Sequence, residues 1–251
     1  MAELIGITRR AGLYKIMSLD RFLQMLLSRE NTLLRPSMWE DPYESKLEHS
    51  DFTTQDGNII QYSDNLWFGQ CWSTEAECDG LWRCYTNNKN TRSVKIKTSV
   101  ARLADGIEEN NQDNAFSFYI GKVEYSQENN FETKLLERTK TINNQIHNWE
   151  KGFALSLLLT KRKAFEYEKE VRLMANLNQN NHDLKTMSYS IRSISKMIMH
   201  VELDPWTTPD ELSTFKNLFS RHGEINEDIV TRSCLYDTAD DGYHPRFQLH
   251  L

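Results

Sequence analysis

The chain has 251 residues, 39% hydrophobic and 26% charged, which is the composition of an ordinary globular protein with a sizeable core. Thirty basic and 36 acidic side chains give a formal net charge of −6, which argues against nucleic-acid binding by bulk charge but not against a small basic pocket. No signal-peptide core and no apolar stretch of membrane-spanning length is visible, so we expect a cytoplasmic protein without membrane contact.

The predicted elements begin with a strand at 13–17 and an amphipathic helix that Ser18 caps. Strand-like segments, rich in β-branched and aromatic residues, follow at 32–36, 66–72, 93–98, 116–125, 170–177, 197–203 and 229–234. Helical patterns lie between them at 79–87, 99–109, 131–160 and 208–221.

This order of elements predicts a single α+β domain over 1–251, with helices flanking a mostly antiparallel or split β-sheet. A helical insert occupies about 131–160, and a C-terminal scaffold of about 184–251 completes the sheet. The sequence has neither G-x-x-x-x-G-K nor G-x-G-x-x-G, which excludes a P-loop enzyme and a simple Rossmann fold. It has no C-x-x-C pair and only scattered histidines, so we expect no metal site.

Three segments are denser in reactive and aromatic side chains than core packing requires. The first runs from Trp39 to Glu44 and holds two aromatics, three carboxylates and Pro42, which restricts the backbone. It predicts a shaped substrate loop that presents Trp39, Asp41 and Glu44. A surface turn with one aromatic tucked beneath it is the alternative.

The second segment is a strand that ends in Ser73 and Thr74, followed by the helix over 79–87. Trp82 and Tyr85 are three residues apart, so they share a helix face and can stack on a planar ligand. Arg83 can bind a phosphate through a bidentate hydrogen bond or pair with Glu168 or Glu170. The alternative places both aromatics in the core.

The third segment surrounds Glu166, Glu168 and Glu170, which point to one face if the segment is a strand. Arg172 continues that face and partly neutralises it. Three carboxylates on one edge indicate a cation or a reacting centre opposite them, and the alternative is a solvated acidic edge that prevents aggregation.

Together these segments resemble an uncharacterised family of bacterial and phage-borne proteins with the ordered pattern L-Y-[KR], N-D-P-[FY]-E, C-[FW]-S, W-x-x-Y and [YW]-E-x-E-x-R. The matching stretches here are Leu13-Tyr14-Lys15, Glu40-Asp41-Pro42-Tyr43-Glu44, Cys71-Trp72-Ser73, Trp82 to Tyr85, and Tyr167 to Arg172. Glu40 stands where the family usually has asparagine. The family itself carries no function.

The motif order is also similar to that of ADP-ribosyltransferases, in which a basic residue on the first strand, an S-T-S strand and a late E-x-E strand form the NAD⁺ site. Lys15, after Tyr14, stands where those enzymes have arginine. The stretch Trp72-Ser73-Thr74 resembles the S-T-S strand, and Glu168 and Glu170 resemble the E-x-E pair. The resemblance implies an ADP-ribosyltransferase-like fold that uses NAD⁺ as substrate without a metal.

The same resemblance implies roles for single residues. Glu170 stabilises the oxocarbenium-like state formed when the nicotinamide–ribose bond breaks, Glu168 orients or deprotonates the acceptor, and Ser73 fixes the sugar. The implied cofactor contacts are Lys15, Tyr14, Arg35, Trp72, Thr74, Trp82, Arg83 and Tyr85. The implied substrate contacts are Trp39, Asp41, Glu44 and Arg172.

The implied partners are nicotinamide dinucleotide, a protein or nucleic-acid acceptor, and an antitoxin or regulatory protein, as expected for a toxin or phage-defence effector. Two other function classes stay open. A nuclease would hold Mg²⁺ with Asp41, Glu44, Glu168 and Glu170. A non-catalytic module would recognise a nucleotide or a partner protein. Metal dependence distinguishes the nuclease, and nicotinamide release distinguishes the transferase.

Overall fold

The computed structural model describes residues 2–39, 41, 51–53, 59–61, 67–85, 91–108, 115–177 and 184–237. In chain order the strands are β1 (Glu3–Ile5), β2 (Gly12–Ser18), β3 (Glu30–Leu34), β4 (Asp51–Thr53), β5 (Ile59–Gln61), β6 (Trp67–Ser73), β7 (Ser93–Ser99), β8 (Phe116–Lys122), β9 (Glu124–Ser126), β10 (Thr160–Arg162), β11 (Glu170–Leu177), β12 (Thr186–Ser190), β13 (His200–Leu203) and β14 (Val230–Arg232).

The helices are α1 (Leu19–Ser28), α2 (Asp79–Tyr85), α3 (Val100–Glu108), α4 (Phe131–Ile146), α5 (Trp149–Leu158), α6 (Ile194–Met197) and α7 (Pro209–Gly223). Short 3₁₀ helices occupy Pro36–Met38, Glu128–Asn130, Lys163–Glu168 and Glu227–Ile229. In the part of the chain that the structure describes, none of the helices combines the length and apolarity needed to cross a bilayer.

One sheet joins ten of these strands, with the order β1-β8-β11-β6-β2-β7-β13-β14. Strand β6 pairs with β2 at Ser73 and Tyr14, near its end, but with β3 at Gly69 and Leu34, nearer its start. Because these two neighbours diverge, the sheet splits beside β6, and β3 carries β12 on its outer side. Most pairings are antiparallel, whereas β1–β8, β13–β14 and β9–β10 are parallel. The predicted α+β class with a mostly antiparallel, split sheet is confirmed.

Successive side chains of β6 point to opposite faces of the sheet, so they identify which core lies on which face. Phe68 and Trp72 join the larger apolar core, to which α1, α3 and α7 contribute, and we call this side the Trp72 face. Trp67 joins Met174 of β11 in a second core with α4 and α5. Glu170 follows the same alternation as Met174, so we call this side the Glu170 face. The split therefore opens beside a strand that is packed on both sides.

Helix termini follow from local sequence. The Ser18 hydroxyl accepts a hydrogen bond from the Arg21 backbone amide at 3.4 Å, as the predicted cap requires. Thr208 and Glu211 form a complete capping box at the start of α7. The predicted helix over 131–160 is two helices, because His147 adopts a left-handed conformation with φ of 52° and Asn148 caps α5.

The prediction of one strand carrying three glutamates is wrong. Glu166 and Glu168 lie in the 3₁₀ helix Lys163–Glu168, and β11 begins only at Glu170. Lys169 between them has a φ of 47°, and this left-handed residue turns the chain from the 3₁₀ helix into the strand. The three carboxylates therefore do not share a strand face.

We expect Gly69→Ala to destabilise the protein. A Cβ at this position would lie 2.5 Å from the Trp39 ring and 2.9 Å from the Met174 sulfur, both on the Glu170 face. Overpacking of this kind costs about 1–3 kcal/mol. Urea denaturation measures the loss, with Gly12→Ala as the matched control, because the nearest atom to its Cβ would be the Tyr14 hydroxyl at 3.9 Å. Equal stability of the two variants would contradict this packing.

Candidate active site

A cluster of buried charges occupies the start of β11. The Glu170 side chain is buried, with the residue 4% exposed, and its Oε2 accepts a hydrogen bond from Arg172 Nη2 at 2.9 Å. Lys161 Nζ lies 3.5 Å from the same oxygen and donates to Glu168 Oε2 at 2.7 Å. One ammonium group thus bridges the two carboxylates that the E-x-E resemblance singled out.

Hydroxyl groups at the end of β6 hold the turn that brings these carboxylates together. The Ser73 hydroxyl donates to the Glu168 carbonyl at 2.6 Å, and the Thr74 amide and hydroxyl donate to the Lys169 carbonyl at 3.0 and 3.2 Å. The Tyr125 hydroxyl accepts from the Glu170 amide at 2.8 Å. These bonds anchor the left-handed Lys169, so Glu168 folds back toward Glu170.

The environments of the two carboxyl groups move their pKa values in opposite directions. Burial raises the pKa of Glu170, but the charges of Arg172 and Lys161 and hydrogen bonds from Cys71 and Arg172 outweigh it, so the net pKa lies below the usual value. Burial raises the pKa of Glu168, and its pairing with Lys161 compensates only in part. Carboxyl groups separated in this way suit one ionised and one proton-carrying role.

Cys71 forms the inner wall of the cluster, and Lys15 lies behind it, with its Nζ 5.9 Å from the centre of the Trp72 ring. Burial raises the pKa of the Cys71 thiol, so it stays protonated and donates a hydrogen bond to Glu170 instead of acting as a nucleophile. Lys15 Nζ donates to the Cys71 carbonyl at 3.0 Å, beside β6 where β2 and β3 diverge. Burial lowers the pKa of Lys15. The predicted cofactor lysine therefore fills the split of the sheet.

Arg172 connects Glu170 to two other elements. This fully buried arginine donates to the Leu158 carbonyl at the end of α5, and its guanidinium carbon lies 4.3 Å from the centre of the Trp39 ring. Nearby, Asp41 accepts a hydrogen bond from Arg162 at 2.9 Å. Three of the predicted substrate residues, Trp39, Asp41 and Arg172, thus lie around the cluster, where they contact other protein groups.

Glu44, the fourth predicted substrate residue, lies outside the described residues.

Tyr85, at the end of α2, lies near the cluster and stays partly open to solvent, at 47% exposure. Burial of its hydroxyl, together with the nearby charges of Glu170 and Glu168, raises the pKa of Tyr85. Tyr85 therefore lies close enough to the two carboxylates to be influenced by their charge, while part of its side chain is accessible. This placement suits the predicted contact with a planar ligand.

Both tryptophans predicted to contact the cofactor are core residues. Trp82 is 0% exposed, and its indole donates to Glu77 at 2.7 Å while the Lys95 ammonium lies 5.2 Å from the ring centre. Trp72 belongs to the opposite face, because strand alternation turns it away from Ser73, and its indole donates to Gln70. The alternative reading of Trp82 as core is correct.

Among the other predicted cofactor residues, Arg83 has side-chain contacts away from Glu168 and Glu170, whereas Arg35 follows β3 and Tyr14 lies on β2. Arg83 is exposed and pairs with Asp79 at 2.8 Å, one helical turn earlier, instead of with Glu168 or Glu170, and its contact with a phosphate stays a prediction. The Arg35 amide donates to the Lys185 carbonyl at the end of β3. Tyr14 lies under the Lys97 ammonium, 5.7 Å from the ring centre, and pairs across the sheet with Ser73.

Sequence reasoning missed Lys161 and Tyr125. Lys161 follows the apolar run of α5 directly, and a lysine that enters a buried strand after such a run needs a carboxylate partner. That signal was available. Tyr125 has no comparable signal, because its contact with the Glu170 amide depends on how β9 lies beside the start of β11.

Metal coordination finds little support in the arrangement of side chains. Across the described ranges, no group of three or more histidine, cysteine, aspartate or glutamate side chains is placed to hold an ion. Asp41, Glu168 and Glu170 each face a lysine or arginine instead.

A family model described as "Protein of unknown function (DUF2971)" matches residues 81–173. The matched part is less than half of the chain, begins next to Trp82 and ends next to Arg172, so it holds two of the five motifs. A comparison with curated proteins found no match. Among solved structures, "Thermus sp. 2.9 DarT in complex with ADP-ribosylated ssDNA" is similar with a TM-score of 0.41 and 8% identity, over 93% of this chain and 98% of that chain.

We expect Arg172→Met to lower the free energy of unfolding by about 3–5 kcal/mol, because it leaves the Glu170 charge buried and without its closest partner. Adding Glu170→Gln should recover part of this loss, since the two residues interact directly. Urea denaturation of both single variants and the double variant measures the coupling. Arg83→Met, which removes an exposed pair, should leave stability nearly unchanged. Strictly additive losses for Arg172 and Glu170 would contradict the buried pair.

The lowered pKa of Glu170 predicts an acid-dependent loss of stability. Because its folded-state pKa lies below the unfolded value of about 4.3, the Glu170 charge stabilises the fold above that pH, and this contribution disappears as the pH falls through the folded-state pKa. Glu170→Gln does not titrate there. The difference in unfolding free energy between wild type and variant should therefore shrink from about pH 6 to about pH 3. A constant difference would refute the assignment.

Proposed function

We propose that this chain is an ADP-ribosyltransferase-type enzyme that breaks the nicotinamide–ribose bond of NAD⁺ and transfers ADP-ribose to a macromolecular acceptor. The observation that carries the proposal is the carboxylate pair bridged by Lys161, in which Glu170 has a lowered pKa and Glu168 a raised one. Together with Tyr85, this pair supplies the charged and aromatic groups that the reaction requires.

In the proposed reaction the bond between nicotinamide nitrogen and ribose C1 breaks, and nicotinamide leaves with the electron pair. Positive charge then develops on the ribose, and the ionised Glu170 stabilises it in a site that largely excludes water. The acceptor attacks C1, and its proton passes to Glu168, whose raised pKa makes it the better base at neutral pH.

The surrounding residues position these two groups. Arg172 and the Cys71 thiol fix the Glu170 carboxylate, and the Ser73 and Thr74 hydroxyls fix the turn that carries Glu168. Tyr85 offers its exposed side to the nicotinamide ring, since aromatic side chains stack on planar heterocycles. In this proposal Ser73 acts through the backbone of Glu168, and not by holding the sugar.

The transferase proposal accounts for the site better than the two alternatives. A magnesium nuclease requires carboxylates directed at a shared ion, whereas Glu168, Glu170 and Asp41 are directed at lysine and arginine. A binding module has no need for two carboxyl groups with separated pKa values, because their desolvation costs stability. A catalytic pair does need this separation.

The proposal predicts that Glu170→Gln lowers the rate of nicotinamide release from NAD⁺ by at least ~100-fold, the scale of one lost transition-state contact. The matched control is Glu166→Gln, which alters an exposed carboxylate on the 3₁₀ helix that carries Glu168, and it should retain wild-type turnover. Measuring the melting temperature of both variants distinguishes lost catalysis from lost folding. If wild type releases no nicotinamide, or if folded Glu170→Gln retains full turnover, the proposal fails.

A further inference from the structure

A cavity of about 410 Å³ lies on the Trp72 face, between α3, the end of β12 and α6. Its volume is in the range of small-molecule sites. The buried side chains of Leu103, Ile191 and Met197 form an apolar floor. Glu170 belongs to the opposite face of the sheet, so this cavity is separate from the candidate active site.

The rim of the cavity is basic in a chain of net charge −6. Residues 184–201 include Lys185, Arg192 and Lys196 but no aspartate or glutamate. The exposed Arg192 and Lys196 side chains make no hydrogen bond or ion pair with any other described residue. Two cations of one short segment are therefore available to a ligand on the same rim.

Arg102 of α3 adds a third cation from the other side. Its Nη1 donates to the carbonyls of Ser195 and Lys196 at 3.4 and 3.1 Å, which holds the guanidinium against the segment. Asp105 is the acidic residue of the lining, and it pairs with Arg9, so its charge is compensated. The net potential of the rim is therefore positive.

Hydroxyl groups and a glycine complete the lining. The Ser193 and Ser195 hydroxyls lie 3.1 Å apart beside the cations. Gly106 lies within α3 at a position where a Cβ would meet nothing within 4 Å, so it borders open space. Glycine inside a helix is unfavourable relative to alanine, and here it leaves the cavity wall free of side chains.

We propose that this cavity binds a phosphorylated small molecule of nucleotide size. Arg192 and Arg102 bind the phosphate oxygens through their guanidinium groups, which suit bidentate hydrogen bonds, and Lys196 adds the charge of its ammonium group. The Ser193 and Ser195 hydroxyls donate to the same group, and the apolar floor with the gap at Gly106 accommodates the base. Arg102 lies on α3, whereas Arg192 and Lys196 lie on the segment after β12, so only a ligand inside the cavity contacts all three cations.

The test is calorimetric titration of the full chain with ADP and, separately, with inorganic phosphate at low ionic strength. The double variant Arg192→Ala/Lys196→Ala should lower the affinity for both ligands at least ~10-fold, the scale of a lost charge-assisted hydrogen bond. Arg221→Ala, an exposed arginine on α7, should leave both affinities unchanged. Both altered side chains of the double variant are exposed, so the fold is retained.

Gly106→Leu distinguishes a nucleotide from phosphate alone, because a side chain there fills the space for the base. This variant should lower the affinity for ADP and leave the affinity for inorganic phosphate unchanged. Glu170→Gln should leave ADP binding at this cavity unaffected, which separates it from the proposed NAD⁺ site. The proposal is overturned if ADP does not bind, if the double variant binds as wild type does, or if only an oligonucleotide binds.

Discussion

The buried ion pair of Arg172 and Glu170 is the interaction on which the site depends. Removing two charges from water is expensive, and it is offset here because each partner makes further contacts. Arg172 reaches the Leu158 carbonyl and the Trp39 ring, while Glu170 also lies near Lys161 and accepts a hydrogen bond from Cys71. The pair thus connects β11 to the end of α5 and to the segment after β3.

The split beside β6 explains why this pair can serve chemistry as well as stability. Where β2 and β3 diverge, polar side chains replace the missing strand contacts: Lys15 binds the Cys71 carbonyl, and Gln70 binds Asn31 on β3. Asn31 in turn donates to the hydroxyl of Tyr189. A closed sheet would have covered this region with backbone pairs. The opening leaves buried polar groups next to the end of β6, where Ser73 holds the Glu168 turn.

The candidate site could be predicted at the level of segments. The residues around Lys15, Asp41, Cys71, Tyr85 and Glu170 are far apart in sequence, yet the fold brings all five to one region. Single-residue predictions failed where they depended on which way a side chain points. Trp72 and Trp82 face the core, and Arg83 pairs along its own helix. The identity of an aromatic or charged residue does not by itself show whether it will lie in a core, in a pocket or in a surface ion pair.

By itself, the sequence determined the α+β class, most strand and helix positions, and the cap at Ser18, because these depend on local periodicity and local hydrogen bonds. It could not determine the turn at Lys169, whose left-handed conformation is held by hydroxyl groups nearly a hundred residues earlier. Nor could it place Lys161 between Glu168 and Glu170. Only the tertiary structure decided these features, because the turn depends on Ser73 and Thr74 and because the pKa of a buried charge depends on which groups the folded chain brings beside it.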